Sequence, residues 1–449
     1  MQSLRLFVII PAIYAFALPM SSSPSRSRVM DTLVNGKHSP PPRRTSSLAY
    51  DNGSLEKYSK VDLWRQRQNL PPISTAVTTT TALSSSSSSI QKNENEPIFT
   101  FGVLTDIQYA PIPDGHSYAG NPRYYRHAKK AAEHAAIHFQ EEQVQCVVNL
   151  GDIVDGKCAA VEKWGGVVSD SKRAEIAEGG SPVGHDAIDD VLKSLSIYTG
   201  RILHTYGNHE LYNLSRWDLS NKLSIPFTLE PTNDLVGYYD HLLHKQQNQP
   251  SSPMKLRFLV LDSYDICLLD RCPDTSPKRQ LAHELMLKNN PNYPKEHNSP
   301  QGLEGLSKRF VGFNGGVDKP QLEWLEQSLR MARENDEKVI LCSHQPIHPG
   351  STYPTCLIWN YDEILEIVRK YNEVVMASFS GHAHKGGYVR DEVSGVHFRT
   401  FEAVLESPDP IRTYAMVDVF ENRLNVRGEG DCVSDIYDLD HLNIGVGNG

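Results

Sequence analysis

From Pro97 onward the chain alternates short apolar runs with amphipathic stretches, and the apolar runs share an unusual ending. FTFGVLTD, CVVNLGD, RILHTYGNHE, LRFLVLDSYD, KVILCSHQP and VVMASFSGHAH each read as a buried strand that stops at Asp, Asn or His. Between them the apolar spacing predicts helices over Tyr124–Glu141, Asp186–Leu195, Pro277–Lys288, Lys319–Glu334 and Tyr361–Tyr371. Strand–helix alternation of this kind predicts an α/β layered fold. Toward the end, GVHFRTFEAV, TYAMVDVF and NRLNVRGEG follow one another without helices, which predicts an antiparallel finish to a sheet. Functional sites of open α/β sheets lie beyond the carboxyl ends of the strands. Five of these strands place metal-type ligands there, a pattern that packing does not explain.

The first hundred residues have a different character. Leu6–Met20 is an uncharged apolar run behind Arg5, closed by small residues such as Ala15 and Ala17. It is too short to span a bilayer comfortably and suits a signal-peptide core. Residues 21–50 carry five basic side chains against the single acid Asp31 and are rich in Ser and Pro, as organelle transit segments are. The two together resemble a two-part plastid leader. Secretory or endomembrane entry and a cytoplasmic or membrane-tethered protein are the other readings, and no stable membrane span is expected in the mature protein. TAVTTTTALSSSSSS at 75–89 buries too little to fold. The expected organisation is therefore a leader over 1–20, a low-complexity segment over 21–95, a catalytic domain over 96–432 and a tail over 433–449.

Composition narrows the function classes. A formal charge of −9 with no basic stripe excludes a surface built to coat nucleic acid. The seven cysteines are scattered without a CxxC pair, so they do not form a disulfide framework. No feature specifies a partner chain, and a monomer is the default expectation.

The polar strand ends, taken in order, are Asp106 and Gln108 in DIQ, Asp152 in GDIVDG, Asn208 and His209 in GNHE, His344 in SHQP, and His382 and His384 in GHAH. A pair of divalent ions needs oxygen and imidazole ligands on both sides and one bridging ligand. A strand-end Asp can bridge because its two oxygens can face different ions, and Asp152 is the choice. D-x-Q places two side chains on one face of an extended segment, so Asp106 and Gln108 can grip one ion. His-Ala-His presents two imidazoles in the same way. GDxxDG, GNHE or HxH alone would often be structural; all five segments in this order are specific.

The order D-x-[HQ], GDxxD, GN[HE], an His-bearing strand end and GHxH resembles the calcineurin-like metallophosphoesterase superfamily. FGVLTDIQYA, RYYRHAKK, LGDIVDGK, YGNHELYNLSR, SPQGL, FNGGVDKPQLEWL, SHQPIHP, CLIWNY and GHAHKGGY resemble one family in it, the manganese-dependent ADP-ribose/CDP-alcohol diphosphatases. The likeness runs from about Phe99 to Gly430. Cys158–Gly184 is longer than usual and Leu242–Met254 is poor in motifs, so both are expected to be surface loops.

The resemblance implies a β-sandwich flanked by helices with a dinuclear site at the strand edge. It implies one ion on Asp106, Gln108, Asp152 and His384, and the other on Asp152, Asn208, His344 and His382. His209 would face the substrate and protonate or stabilise the departing group, as an imidazole beside a metal-bound Asn is placed to do. Gln108 stands where most of the superfamily has His, and a hard amide oxygen suits Mn²⁺ or Mg²⁺ better than zinc or iron. GDIVD offers no Tyr at the offset that purple acid phosphatases need. The implied reaction is attack on a pyrophosphate by hydroxide shared between the ions, giving a nucleoside monophosphate and a phosphorylated product.

Arg123 and Arg126 suit a phosphate clamp, or equally an exposed helix start. Tyr124, Tyr125, Trp359 and Tyr361 suit base stacking or a core, and Cys356 a substrate loop or a packed thiol. The same metal pair would serve a phosphomonoester or a cyclic nucleotide. A binding scaffold that had lost catalysis would show eroded ligands, whereas here every position is filled.

Overall fold

The computed structural model describes residues 96–169, 171–173, 182–229, 234–243, 254–269 and 275–443. The leader and low-complexity segment expected over 1–95 lie outside the described residues. Twelve strands among these residues form the framework. They are β1 (Phe99–Leu104), β2 (Cys146–Asn149), β3 (Arg201–His204), β4 (Tyr239–Leu243), β5 (Lys255–Val260), β6 (Glu337–Cys342), β7 (Val375–Ser380), β8 (Lys385–Arg390), β9 (His397–Glu402), β10 (Tyr414–Val419), β11 (Arg423–Glu429) and β12 (Asp435–Asp438). Two six-stranded sheets result, ordered β12-β11-β10-β1-β2-β3 and β8-β9-β7-β6-β5-β4.

Helices α1 (Tyr125–Glu141), α2 (Pro182–Leu195), α3 (Asn208–Asn213), α4 (Arg216–Leu223), α5 (Pro277–Asn289), α6 (Lys319–Glu334) and α7 (Tyr361–Lys370) complete the frame. Their starts follow local chemistry. Ser215, Ser276 and Asp318 each accept a backbone N–H of the turn they open, and Pro277 and Pro320 occupy early positions that need no donor. No helix among the described residues is long and apolar enough to cross a membrane.

The sheets pack face to face. Phe101 of β1 meets Phe258 of β5 edge-on at 5.0 Å and Phe379 of β7 at 6.2 Å. Alternation along β6 divides the core. Ile340 and Cys342 join the inter-sheet cluster, while Val339 and Leu341 join Leu325 and Leu329 of α6 and Ile364 and Val368 of α7. In α1, Ala128, Ala131, Ala132, Ala135 and Ala136 are all buried, a small-residue face that packs closely on its neighbours. β1, β2 and β3 run parallel in one sheet, and β5, β6 and β7 in the other. Parallel strands end at the same edge, and that places the site.

Three expectations change. His397–Glu402 does not continue an antiparallel finish with the strands that follow it. It runs parallel to β7 in the second sheet, and the antiparallel finish of the first sheet is made by β10, β11 and β12. Residues 433–443 are not a tail: β12 pairs with β11, and Tyr437 is fully buried, while 444–449 lie outside the described residues. Residues 156–164 form a 3₁₀ segment that buries Cys158 and Val161. Cys146, Cys158, Cys342, Cys356 and Cys432 are free thiols.

β12 also closes an aromatic stack with a pH signature. The Tyr437 ring stacks on both Tyr388 and His397 at 4.9 Å, while His397 Nδ1 accepts from the Tyr388 hydroxyl at 2.8 Å and its Nε2 donates to the Asp438 carbonyl at 2.8 Å. Burial, then the charges of His441 and Arg390, push its pKa from 6.5 down to about 4. The unfolded chain therefore takes up a proton that the native state refuses. This contribution to stability is complete above pH 6.5 and is lost as pH falls toward about 4, up to roughly 3 kcal/mol. Urea melts at about pH 7 and about pH 4.5 should show a smaller acid loss for His397→Gln than for wild type. Equal losses would place the acid sensitivity elsewhere.

Candidate metal centre

Beyond the strand ends the backbone ladder continues and ties the ligand-bearing segments together. Asp106 N donates to Gly151 O, Gln108 N to Asp152 O, and Gly381 N to His344 O. The close approach explains two glycines. A Cβ on Gly207 would lie 2.0 Å from Asp152 Oδ1, and one on Gly381 would lie 1.9 Å from Thr105 Oγ1. The segments are not extended as D-x-Q and H-x-H suggested. Asp106, Gln108, Asp152 and His382 have φ of 51°, 43°, 58° and 67°. Left-handed backbone at four non-glycine residues is costly, and strain of this kind clusters at functional sites.

Six of the candidate side chains form one contiguous network. Asp152 Oδ2 lies 3.3 Å from His344 Nε2 and accepts from Gln108 Nε2 at 3.0 Å. Asp106 Oδ1 lies 3.3 Å from His384 Nε2, and His382 Nδ1 lies 3.2 Å from His344 Nε2. Asp152, His344 and His382 bring one ligand atom each within 4.8 Å of one another. Asp152 presents a single oxygen between the two halves of the network, because Oδ1 accepts the His209 backbone N–H at 2.8 Å. Asn208 lies beside the network, its Oδ1 accepting from the Tyr264 hydroxyl at 3.0 Å. The Tyr264 carbonyl is in turn gripped by Arg216, which pairs with buried Asp262.

The imidazoles are aimed from behind. His344 Nδ1 donates to Leu150 O at 2.7 Å, His384 Nδ1 faces Glu406 Oε1 at 3.0 Å, and His382 Nε2 faces Asn314 Oδ1 at 2.9 Å. Each outer bond leaves the other ring nitrogen as a lone pair directed inward, the arrangement of a metal-ligating histidine. His344 Nε2 and His382 Nδ1 face each other at 3.2 Å, a contact that a proton on His344 satisfies and that a shared cation would satisfy equally.

The electrostatics agree with a cation site. Burial alone would neutralise Asp106, yet His384 holds its carboxyl below the usual range, and His344 and His209 do the same for Asp152. Burial lowers His344 and His384, but Asp152 raises the first and Asp106 and Glu406 the second, each to about 9. Burial and His344 push His382 down to about 3, so it stays a neutral donor. The buried carboxylates thus demand positive charge that imidazolium supplies in the absence of metal. The oxygen and imidazole donors fit divalent ions.

The Gln108 side chain has its nitrogen, not its oxygen, among the carboxylates, while Oε1 accepts from Arg123 at 3.0 Å. Ligation through oxygen requires the amide to turn over. His209 Nδ1 accepts from Gly156 N–H at 2.8 Å and lies 3.4 Å from Asp155 Oδ2. In the neutral ring this fixes the proton on Nε2, 3.9 Å from Asp152 Oδ2.

The substrate candidates separate. Arg123 reaches the centre through Gln108 and lies 3.5 Å from Asp155. Arg126 is exposed on the first turn of α1 and is not brought to the network. Tyr125 and Trp359 are core residues, a correction to the base-stacking expectation: Tyr125 accepts from Lys157 Nζ at 2.6 Å and Trp359 packs on Phe310. Cys356 is half-buried, and desolvation pushes its thiol up to about 12, with Asp106 among the charges that act on it. Sequence reading gave no role to Asp155, Asn314, Tyr264, Glu210 or Glu406. Glu210 accepts N–H groups of Asp152, Ile153 and Gly207, and so braces the Asp152 turn. Its place after GNH was a signal; Glu406 and Asn314 had none.

Strand-edge carboxylates and imidazoles on paired sheets define a calcineurin-like phosphoesterase, and the model of that family matches residues 99–386. A dimetal phosphatase from Danio rerio has the same fold, with a TM-score of 0.65 and 30% identity over 77% of this chain and all of that one. Curated relatives named manganese-dependent ADP-ribose/CDP-alcohol diphosphatase are 39% identical in Oryza sativa (76% of this chain, 94% of the relative) and 34% identical in Homo sapiens (75% and 92%). The chain belongs to the manganese-dependent ADP-ribose/CDP-alcohol diphosphatase family.

Proposed function

We propose that this chain is a manganese-dependent hydrolase of the pyrophosphate bond in ADP-ribose, CDP-alcohols and related nucleotide diphosphate compounds. The observation that carries the reading is the buried network of Asp106, Gln108, Asp152, His344, His382 and His384, with inward lone pairs fixed from behind. The names of the relatives supply the substrate class. Asp106, Gln108 and His384 would hold one ion, Asn208, His344 and His382 the other, and Asp152 both. Two divalent ions there would supply an activated water and charge neutralisation at the reacting phosphate.

The chain's own groups do the rest. His209 holds a proton on Nε2 at the open side of the centre, with 19% of its side chain exposed. When the ring also carries a proton on Nδ1, directed to Asp155, it donates the Nε2 proton to the oxygen that departs with the leaving phosphate and returns to a neutral imidazole. Asp155 faces Nδ1 and stabilises positive charge on the ring. When the Gln108 amide turns to ligate, its nitrogen replaces the oxygen that Arg123 now holds. The guanidinium is then directed to another acceptor, and its buried Nε has no partner among the described residues. A substrate phosphate is the natural acceptor.

The substrate reading is checked by kcat/KM at one Mn²⁺ concentration. ADP-ribose should yield AMP and ribose 5-phosphate, CDP-choline should yield CMP and phosphocholine, and AMP should be a poor substrate. A second phosphate anchors the substrate and aligns the reacting one, and such remote binding contributes to rate. Preference for AMP or a cyclic nucleotide over both diphosphates would overturn the substrate assignment and leave the metallophosphoesterase chemistry intact.

A further inference from the structure

A cavity of about 290 Å³ lies between α5, the 293–297 loop, the segment after β5 and the end of α3. Leu211, Leu268, Leu269 and Pro294 form its apolar wall. Its polar groups among the described residues are Arg279, His283, Tyr293, His297 and Tyr212, with no carboxylate. Arg279 and His283 are four residues apart on α5 and so share a face. Arg279 NH1 donates to Leu269 O at 3.1 Å, which fixes the guanidinium at the wall, and His283 is bonded to the Tyr293 hydroxyl. The His297 ring lies over Gly312, where a Cβ would come within 2.3 Å of Cδ2.

Two walls are shared with the metal centre. The Tyr212 ring meets the His209 ring edge-on at 5.6 Å. Gly312 is two residues from Asn314, which holds His382. An arginine and two imidazoles among apolar walls recognise an anion attached to a compact body. The volume is at the small end of ligand pockets, which start at about 300 Å³, so it suits one half of a diphosphate compound.

We propose that this cavity is the subsite for the phosphorylated, hydroxyl-bearing half of the substrate, the half released as a sugar or polyol phosphate; this rests on the diphosphatase reading. The nucleotide half then lies on the other side of the metal centre.

The test is product inhibition of ADP-ribose hydrolysis in the Mn²⁺-loaded enzyme, with ribose 5-phosphate, glycerol 3-phosphate and AMP as inhibitors. For Arg279→Gln the inhibition constants of ribose 5-phosphate and glycerol 3-phosphate should rise about tenfold, the loss of one charge-assisted bond. That of AMP should stay within about twofold. The exposed His297→Ala should move the same two constants several-fold, which guards against a folding defect in the helix variant. Unchanged constants for the sugar and polyol phosphates, or an equal rise for AMP, would overturn the assignment. If the wild-type enzyme left ADP-ribose intact, the diphosphatase reading would fail on its own. The cavity would then be judged by calorimetric titration with ribose 5-phosphate: saturable binding weakened in Arg279→Gln supports it, and no binding overturns it.

Discussion

Asp152→Asn should leave the fold intact, bind less metal and lose at least about a thousandfold in turnover. The substitution is close to isosteric, and an amide oxygen can keep the bond from the His209 backbone N–H that Oδ1 now accepts. What changes is the atom between the two halves of the network. An NH₂ group would replace the Oδ2 that lies 3.3 Å from His344 and 3.0 Å from Gln108, and a donor there cannot ligate. The negative charge that keeps His344 paired is removed as well. If a bridged ion pair supplies on the order of 4 kcal/mol of transition-state stabilisation, its loss is about a thousandfold in rate. Elemental analysis beside the rate decides the matter. Full metal content with a large rate loss would make Asp152 a reacting group instead of a bridge.

His209→Ala should show the opposite pattern, with both ions retained and turnover lowered by roughly 10²–10⁴, the usual size of a general-acid contribution. The side chain makes no bond to the imidazoles of the centre. Its Nδ1 faces Gly156 and Asp155, and its Nε2 is 3.9 Å from the nearest Asp152 oxygen. The bond to Asp152 is made by the His209 backbone, which alanine preserves. The loss should shrink for substrates whose leaving group needs no proton, such as an aryl phosphate. An emptied centre in the alanine variant would make His209 a ligand.

The strand ends were legible because a buried strand has little reason to finish on Asp, Asn or His. Asp106, Asp152, His344 and His382 stood out against apolar runs, and parallel topology carried those ends to one edge. The geometry that joins them was not legible. Positive φ at Asp106 and Gln108 turns the chain where an extended segment was expected, and only the meeting of β1 and β2 imposes it. NHELYN and RWDLSNKL became α3 and α4, too short to show a period. Asp435–Asp438 fell within the expected tail, yet Tyr437 supplies the buried side chain that docks it. Glu406 and Asn314 aim ligands from 22 and 68 residues away in the chain, a relation that no local pattern encodes.

The most direct test of the account strips the purified protein with a chelator, removes the chelator and titrates Mn²⁺ back while ADP-ribose hydrolysis is followed. The stripped protein should be inactive and still folded. Activity should return with occupancy and level off at two ions per chain, with Mn²⁺ restoring more than Mg²⁺ or Zn²⁺, as an oxygen-rich set that includes Gln108 prefers. Turnover by the stripped protein, full activity at one ion per chain, or recovery with Zn²⁺ alone would contradict it.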